Sequence, residues 1–167
     1  GVVTLDIGHM TQASQFFLVI LMFIGASPVS TGGGIKTTTF AILLGAMFAM
    51  IRGQRDVVLF RYRLPANRVY KAITLTLMAL FLVIVVSMVL AMTEPYPFLM
   101  ILFEVTSAFA TVGLSMGLTT ELTPFGKLVI ILTMFIGRLG PLTLAFALGS
   151  KLEKELYRHP EGEITIG

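Results

Sequence analysis

The chain has 167 residues; 56% are hydrophobic and 13% charged, the mean hydropathy is +0.91 and the formal net charge is +3. A soluble domain carries about 25% charged residues, so the composition points to an integral membrane protein. There is no cysteine, and the two histidines, His9 and His159, are far apart, which excludes disulfides, thiolate metal sites and a His-centred cluster with metal-ligand spacing.

The chain opens on Gly1 in the middle of a motif, without the regions of a secretory leader, and reads as a piece of a longer polypeptide. Its first apolar stretch, Ala13 to Met50, holds one charge, Lys36. At about 1.5 Å per residue it is too long for one simple helix across a ~30 Å hydrocarbon core. Its centre, Gly25-Ala-Ser-Pro-Val-Ser-Thr-Gly-Gly-Gly34, explains the excess, because Pro28 and the consecutive Gly32, Gly33 and Gly34 break a helix. The expectation is a half-helix, an irregular loop over 25–39 at membrane depth, and a second half-helix; a kinked structural helix is the alternative. Irregular backbone inside a bilayer needs protein or water around it, so the loop should line a cavity or pore.

Arg52 to Lys71 holds six basic residues and one acid, whereas Ala72 to Met92 holds no charge and fits a single span. The connection Thr93-Glu-Pro-Tyr-Pro97 has an acid and no base, so the positive-inside rule puts the basic loop and the C-terminal tail in the cytoplasm. Nucleic-acid binding is a weaker account of a basic loop lying between two spans. Phe98 to Ala110, about 20 Å long as a helix, is too short to cross. It lies between an outgoing span and the next apolar stretch, Pro124 to Gly149, which returns. It must therefore dip in and come back out, as a pore helix with an extended return loop, Thr111-Val-Gly-Leu-Ser115. Such a loop turns backbone carbonyls toward an ion path. Gly113 permits the dihedrals required, and Thr111 and Ser115 can add hydroxyl oxygens.

Two segments match at a constant offset of 112: Gly1 with Gly113, Thr11 with Thr123, and Met22-Phe-Ile-Gly25 with Met134-Phe-Ile-Gly137. The chain then holds the end of one span–pore-helix–span unit and the whole of the next, with Gly1 and Gly113 as equivalent filter glycines. By the same offset Arg138 falls at the level of the Gly-rich loop. An intramembrane Arg costs about 2.5–3.5 kcal/mol on insertion scales and faces the interior. Its donors either form a gate with the loop or only satisfy structural carbonyls.

Other charges carry two readings each. Glu104, inside the short helix, either attracts cations or, as favoured here, braces the filter from behind. Lys36 binds a carbonyl at the gate or snorkels to the cytoplasmic edge. Asp6 and Glu121 recruit cations or form a solvated rim. Gly-Gly-Gly-Ile-Lys-Thr is not a phosphate loop, which needs adjacent Gly-Lys after a strand. An intramembrane enzyme would need a nucleophile with a base, or paired carboxylates, within the spans, and the only charged groups deep in them are Lys36 and Arg138. A noncatalytic scaffold leaves the re-entrant helix and repeated glycine unexplained.

Phe103-Glu-Val-Thr-Ser-Ala-Phe-Ala-Thr-Val-Gly-Leu-Ser115, Ser30-Thr-Gly-Gly-Gly-Ile-Lys36 and Gly137-Arg-Leu-Gly-Pro141 resemble, respectively, the fourth pore helix and filter, the intramembrane gate loop and the pore-facing Arg motif of the Trk/Ktr/HKT superfamily of potassium transporters. The likeness is strongest to the membrane subunit of bacterial Ktr systems. It implies an all-α membrane fold, a fragment of a four-repeat pore subunit. Residues 1–50 would end the third repeat, 51–71 form the cytoplasmic basic loop, 72–149 make the fourth repeat and 150–167 the cytoplasmic tail. It implies a filter of Gly1, Thr111, Val112, Gly113 and Leu114, supported by Glu104, and a gate of Gly32, Gly33, Gly34, Lys36 and Arg138. It further implies K+ as the transported ion, Na+ as a candidate coupling ion and no cofactor in this chain. The partners implied are the lipid bilayer, a second copy in a homodimer, and a cytosolic ring of RCK-type subunits that alone binds ATP or ADP.

Overall fold

The computed structural model describes residues 6–28, 30, 32–53, 58–59 and 62–140. Gly1, Thr31, the end of the returning stretch (141–149) and the tail 150–167 lie outside the described residues.

The described chain opens on a short 3-10 turn, Ile7–His9, capped by the Asp6 carboxylate. The first helix, α1 (Gln12–Ile24), starts at Thr11, whose hydroxyl accepts from the Ser14 N–H, and stops at Gly25, φ 66°. The second, α2 (Thr37–Ile51), resumes after an irregular segment. The break therefore covers 25–36, and the three threonines expected in the loop, Thr37 to Thr39, already belong to α2, because the helix-breaking residues end with Gly34.

The basic loop is not all loop. Strands β1 (Val58–Leu59) and β2 (Tyr62–Arg63) pair antiparallel, Val58 with Arg63 and Leu59 with Tyr62. This small hairpin departs from the all-α expectation. Its cause is a local run of β-branched and aromatic residues, Val57-Val-Leu-Phe-Arg-Tyr62, that a count of charges overlooks. Helix α3 (Ala66–Thr93) then begins six residues before the apolar stretch at Ala72. Hydropathy marks where a helix meets lipid and not where it starts; Pro65 (φ −67°) precedes the first turn, and Ala66 to Lys71 contain no breaker.

Helix α4 (Phe98–Ala110) is followed by the short α5 (Leu118–Glu121) and by α6 (Pro124–Leu139). The helix expected over 124–149 is described as far as Leu139, where Gly140 (φ 84°) caps it. Thr123 caps its start by accepting from the Gly126 N–H, as Thr11 caps α1, and the two starts lie 112 residues apart, the offset of the sequence match.

α4 is the centre of the fold and packs against α1, α3 and α6. Ile101, Val105 and Phe109 are fully buried, with Ala79, Val83 and Leu90 of α3 and Ile130 of α6 around them, while Phe103, equally buried, clusters with Val19 and Met22 of α1. Phe23 of α1 stacks on Phe109, ring centroids 6.3 Å apart. The outward residues of α3, among them Leu77, Phe81, Ile84 and Met88, are apolar and exposed, as on a lipid-facing helix. Among the described residues α3 is the one helix long and apolar enough to cross a membrane; α1, α2 and α4 are apolar but shorter.

Candidate functional site

α4 is buried from Phe103 to Ala110, so it ends inside the molecule, and its end is the site. α4 stops at Thr111 in the left-handed region (φ 54°, ψ 37°), the only non-glycine with positive φ among the described residues. A β-branched residue is held there at a cost of about 1–3 kcal/mol and persists only if its surroundings fix it. They do so from two sides. The Thr111 and Val112 N–H groups turn back to Ala108 O (3.2 Å) and Ser107 O (3.0 Å). From the broken segment, the Gly33 N–H donates to Ala110 O (3.1 Å) and to Thr111 Oγ1 (2.8 Å). Val112, Gly113 and Leu114 continue without helical structure, Gly113 exposed with φ 83°.

The far end of this segment is tied to Glu104. Its side chain is 5% exposed, and its carboxylate accepts from Ser115 Oγ (3.0 Å) and from Thr119 Oγ1. Ser115 Oγ in turn accepts from the Gly117 N–H at 3.0 Å, closing a turn that needs φ 90° at Gly117. Ser115, expected to offer its hydroxyl to the ion path, thus spends its proton on Glu104.

The broken segment is seated by backbone against backbone. A side chain at Gly33 would place its Cβ 2.7 Å from Phe109 O and 3.0 Å from Gly137 O, and one at Gly25 would lie 2.6 Å from Gly33 O. A Cβ at Gly137 would overlap the Phe109 backbone. Gly25, Gly33 and Gly137 therefore let α1, the segment, the end of α4 and α6 meet at one point. Gly34 (φ 75°) turns the chain toward Lys36, whose Nζ donates to Gly32 O (2.5 Å) and Ser30 O (3.2 Å). Of the two readings for Lys36, carbonyl binding is the arrangement present. Arg138 directly follows the packed Gly137, and its side chain is exposed. Sequence reasoning singled out Arg138 and passed over Gly137, although Gly137 ends the repeated word Met-Phe-Ile-Gly.

An open cavity of about 420 Å³ lies between α1, the broken segment and the start of the return segment. Leu18, Leu21 and Met22 form its apolar wall, and Gly32, Thr111 and Val112 reach it from the two irregular segments. Away from it, Asp6 accepts from the Gly8 N–H and pairs with His9 (3.4 Å), both exposed, while Glu121 is hydrogen-bonded by Tyr96. Sequence reasoning did not single out Glu94, the buried cap of α3. Its carboxylate accepts from the Thr123 N–H (3.2 Å) and from Thr123 Oγ1 at the start of α6. The signal, an acid after an apolar span and a threonine before Pro124, is legible only once the two ends are known to meet. Among the described residues no His, Asp and Glu side chains cluster as metal ligands.

Lipid-facing apolar helices around a short buried one, with two irregular glycine-bearing segments meeting over a cavity, define a membrane protein of the transport class. Residues 1–159 match the TrkH family, described as cation transport protein, and the chain belongs to that family. It is 46% identical over 167 residues to the Ktr system potassium uptake protein B of Bacillus subtilis (strain 168), and 44% identical over 167 residues to the Ktr system potassium uptake protein D of the same organism. In each case the match covers all of this chain and 37% of the relative. The potassium/sodium uptake protein NtpJ of Enterococcus hirae is 43% identical over 173 aligned residues, all of this chain and 38% of that protein. The chain thus spans little more than a third of the length of these curated relatives. The relatives are uptake proteins, and the family is not enzymatic.

Proposed function

We propose that this chain forms the end of a potassium uptake pathway, with the Thr111–Leu114 backbone as part of a carbonyl-lined filter. The observation that carries the reading is α4. It stops inside the molecule at a strained Thr111 and passes into a non-helical Gly113 segment next to an open cavity. Carbonyl oxygens presented this way replace an ion's hydration shell. Gly1, 112 residues before Gly113, supplies the equivalent position of the preceding unit, and Glu104 holds the far end of the segment through Ser115 and Thr119.

The segment Gly32–Gly34 with Lys36, beside Arg138, is the gate: it stands next to the filter, and its fixed positive charges oppose a cation. In the membrane, the basic loop and the C-terminal tail face the cytoplasm by their charge, where a nucleotide-binding ring of RCK-type subunits docks on a homodimer of the full-length protein. The paired "Ktr system" names of the relatives fit a multi-component machine. Sodium is a second candidate ion, because the Enterococcus relative is named for potassium and sodium.

The experiment is K+ flux into proteoliposomes carrying the full-length parent, wild type against Gly113→Ser. Robust wild-type flux that loses rate or K+/Na+ discrimination in the variant is expected. Wild type that carries no cation, or a variant indistinguishable from it, would overturn the filter and bring a noncatalytic scaffold forward.

A further inference from the structure

The filter and gate readings above treat two segments separately, and the hydrogen bonds join them. We infer that the Thr111 hydroxyl is a latch between the broken segment and the filter, so that gating and ion discrimination are one coupled event. This rests on the pore reading.

Thr111 is the first residue of the return segment and the only strained non-glycine among the described residues. Its Oγ1 accepts from the Gly33 N–H at 2.8 Å, and the same N–H reaches Ala110 O at 3.1 Å. Gly33 is buried, so neither bond is replaced by water while the segment is seated. The seat is rigid because its contacts are backbone: Gly33 sits against the Phe109 and Gly137 carbonyls with no room for a Cβ. One residue away, Gly32 O is held by Lys36 Nζ. Lys36, Gly32, Gly33 and Thr111 thus form a continuous line from the start of α2 to the filter. When the segment leaves the cavity, the Gly33 N–H must leave Thr111. The hydroxyl then loses the donor that holds it, at a residue whose backbone is strained and whose own carbonyl belongs to the filter. Thr111 is therefore a positioning residue, and its hydroxyl is committed to the loop and not to the ion.

The test is a double-mutant cycle in the full-length parent, reading K+ flux and K+/Na+ discrimination in proteoliposomes. Thr111→Val removes the acceptor with the shape kept, Thr111→Ser keeps an acceptor, and Lys36→Met loosens the segment from its other end without touching the filter. Thr111→Val is expected to raise flux and lower discrimination together, by roughly two- to tenfold, the range of one hydrogen bond. Thr111→Ser should recover most of both changes. Lys36→Met should lower discrimination in the wild-type background and have little further effect beside Thr111→Val. Additive effects of Lys36→Met and Thr111→Val, or a Val variant matching the Ser variant, would overturn the latch while the Gly113 dependence of the flux still stood. If the variants do not fold, hydrogen–deuterium exchange in wild type decides: slow exchange at the Gly33 amide is expected, and exchange as fast as an open loop refutes the latch.

Discussion

A carboxylate in the middle of an apolar helix is expensive unless its oxygens are hydrogen-bonded. Glu104 meets that condition through two hydroxyls, Ser115 and Thr119, that lie 11 and 15 residues along the chain. Both donors sit in the stretch that follows the proposed filter, so the carboxylate at the centre of α4 specifies where that stretch returns. Glu104→Gln keeps the size but replaces one acceptor oxygen by an amide that faces a hydroxyl donor. It should destabilise the protein by about 1.5–3 kcal/mol, read as a lower melting temperature in detergent, and Glu104→Ala should cost more. A Gln variant as stable as wild type would mean that the carboxylate does not hold the segment. The sequence supports a carboxylate that braces or attracts, because an acid inside an apolar 13-residue helix has few other roles. It does not reveal the partners: they depend on the turn at Gly117, φ 90°, which nothing in the run Ser-Met-Gly-Leu-Thr requires in advance. The same limit explains Ser115, whose hydroxyl is engaged behind the filter.

At the scale of helices, the breaks were legible and the ends were not. Pro28 and three glycines announce that one apolar run is two helices, and the Pro-Tyr-Pro turn and Thr111-Val-Gly bound an apolar helix of 13 residues, shorter than a span. Where a helix begins is a local matter on which hydropathy is silent; α3 reaches back to Ala66 and α2 to Thr37, in both cases without a side-chain cap. The start of α6 shows what the caps do. Thr123 caps its own helix, and Glu94 from the end of α3 accepts from both the Thr123 N–H and hydroxyl, placing a negative charge at the positive end of the helix dipole. Gly126 leaves room for this carboxylate, since a Cβ there would lie 2.5 Å from its Oε1. Glu94→Ala should cost about 1–3 kcal/mol through the unpaired donors and the lost dipole interaction. Because the tie joins α3 to α6, the loss should appear as faster hydrogen exchange at both helix ends. Exchange that quickens at α3 alone would argue that Thr123 caps α6 without help.

For the molecule as a whole, the organising feature is that three glycines bring four segments to one point. α1 ends at Gly25 against the Gly33 and Ile35 carbonyls of the broken segment, and Gly33 and Gly137 of α6 both close on the last turn of α4. Sequence reasoning placed Gly25 and Gly137 in register through the 112-residue offset, but the contact itself belongs to tertiary packing, which no local pattern encodes. Interiors are close-packed, so a methyl group with no space displaces backbone. Gly137→Ala has nowhere to put its Cβ except into Phe109, and relief requires α6 to move off α4. The expected cost is about 1–3 kcal/mol of overpacking, visible as a depressed melting temperature, together with altered conduction, because the displaced Phe109 carries Ala110 and Thr111 with it. The comparison is Gly53→Ala. Gly53, unlike Gly137, has positive φ, 65°, and open space around it. Its cost is confined to backbone strain, on the order of 1 kcal/mol, with conduction unchanged. If the two variants lost the same stability and neither changed conduction, crowding at α4 would be irrelevant to the pathway. A conduction defect in Gly137→Ala alone would tie the ion path to the point where the helices meet.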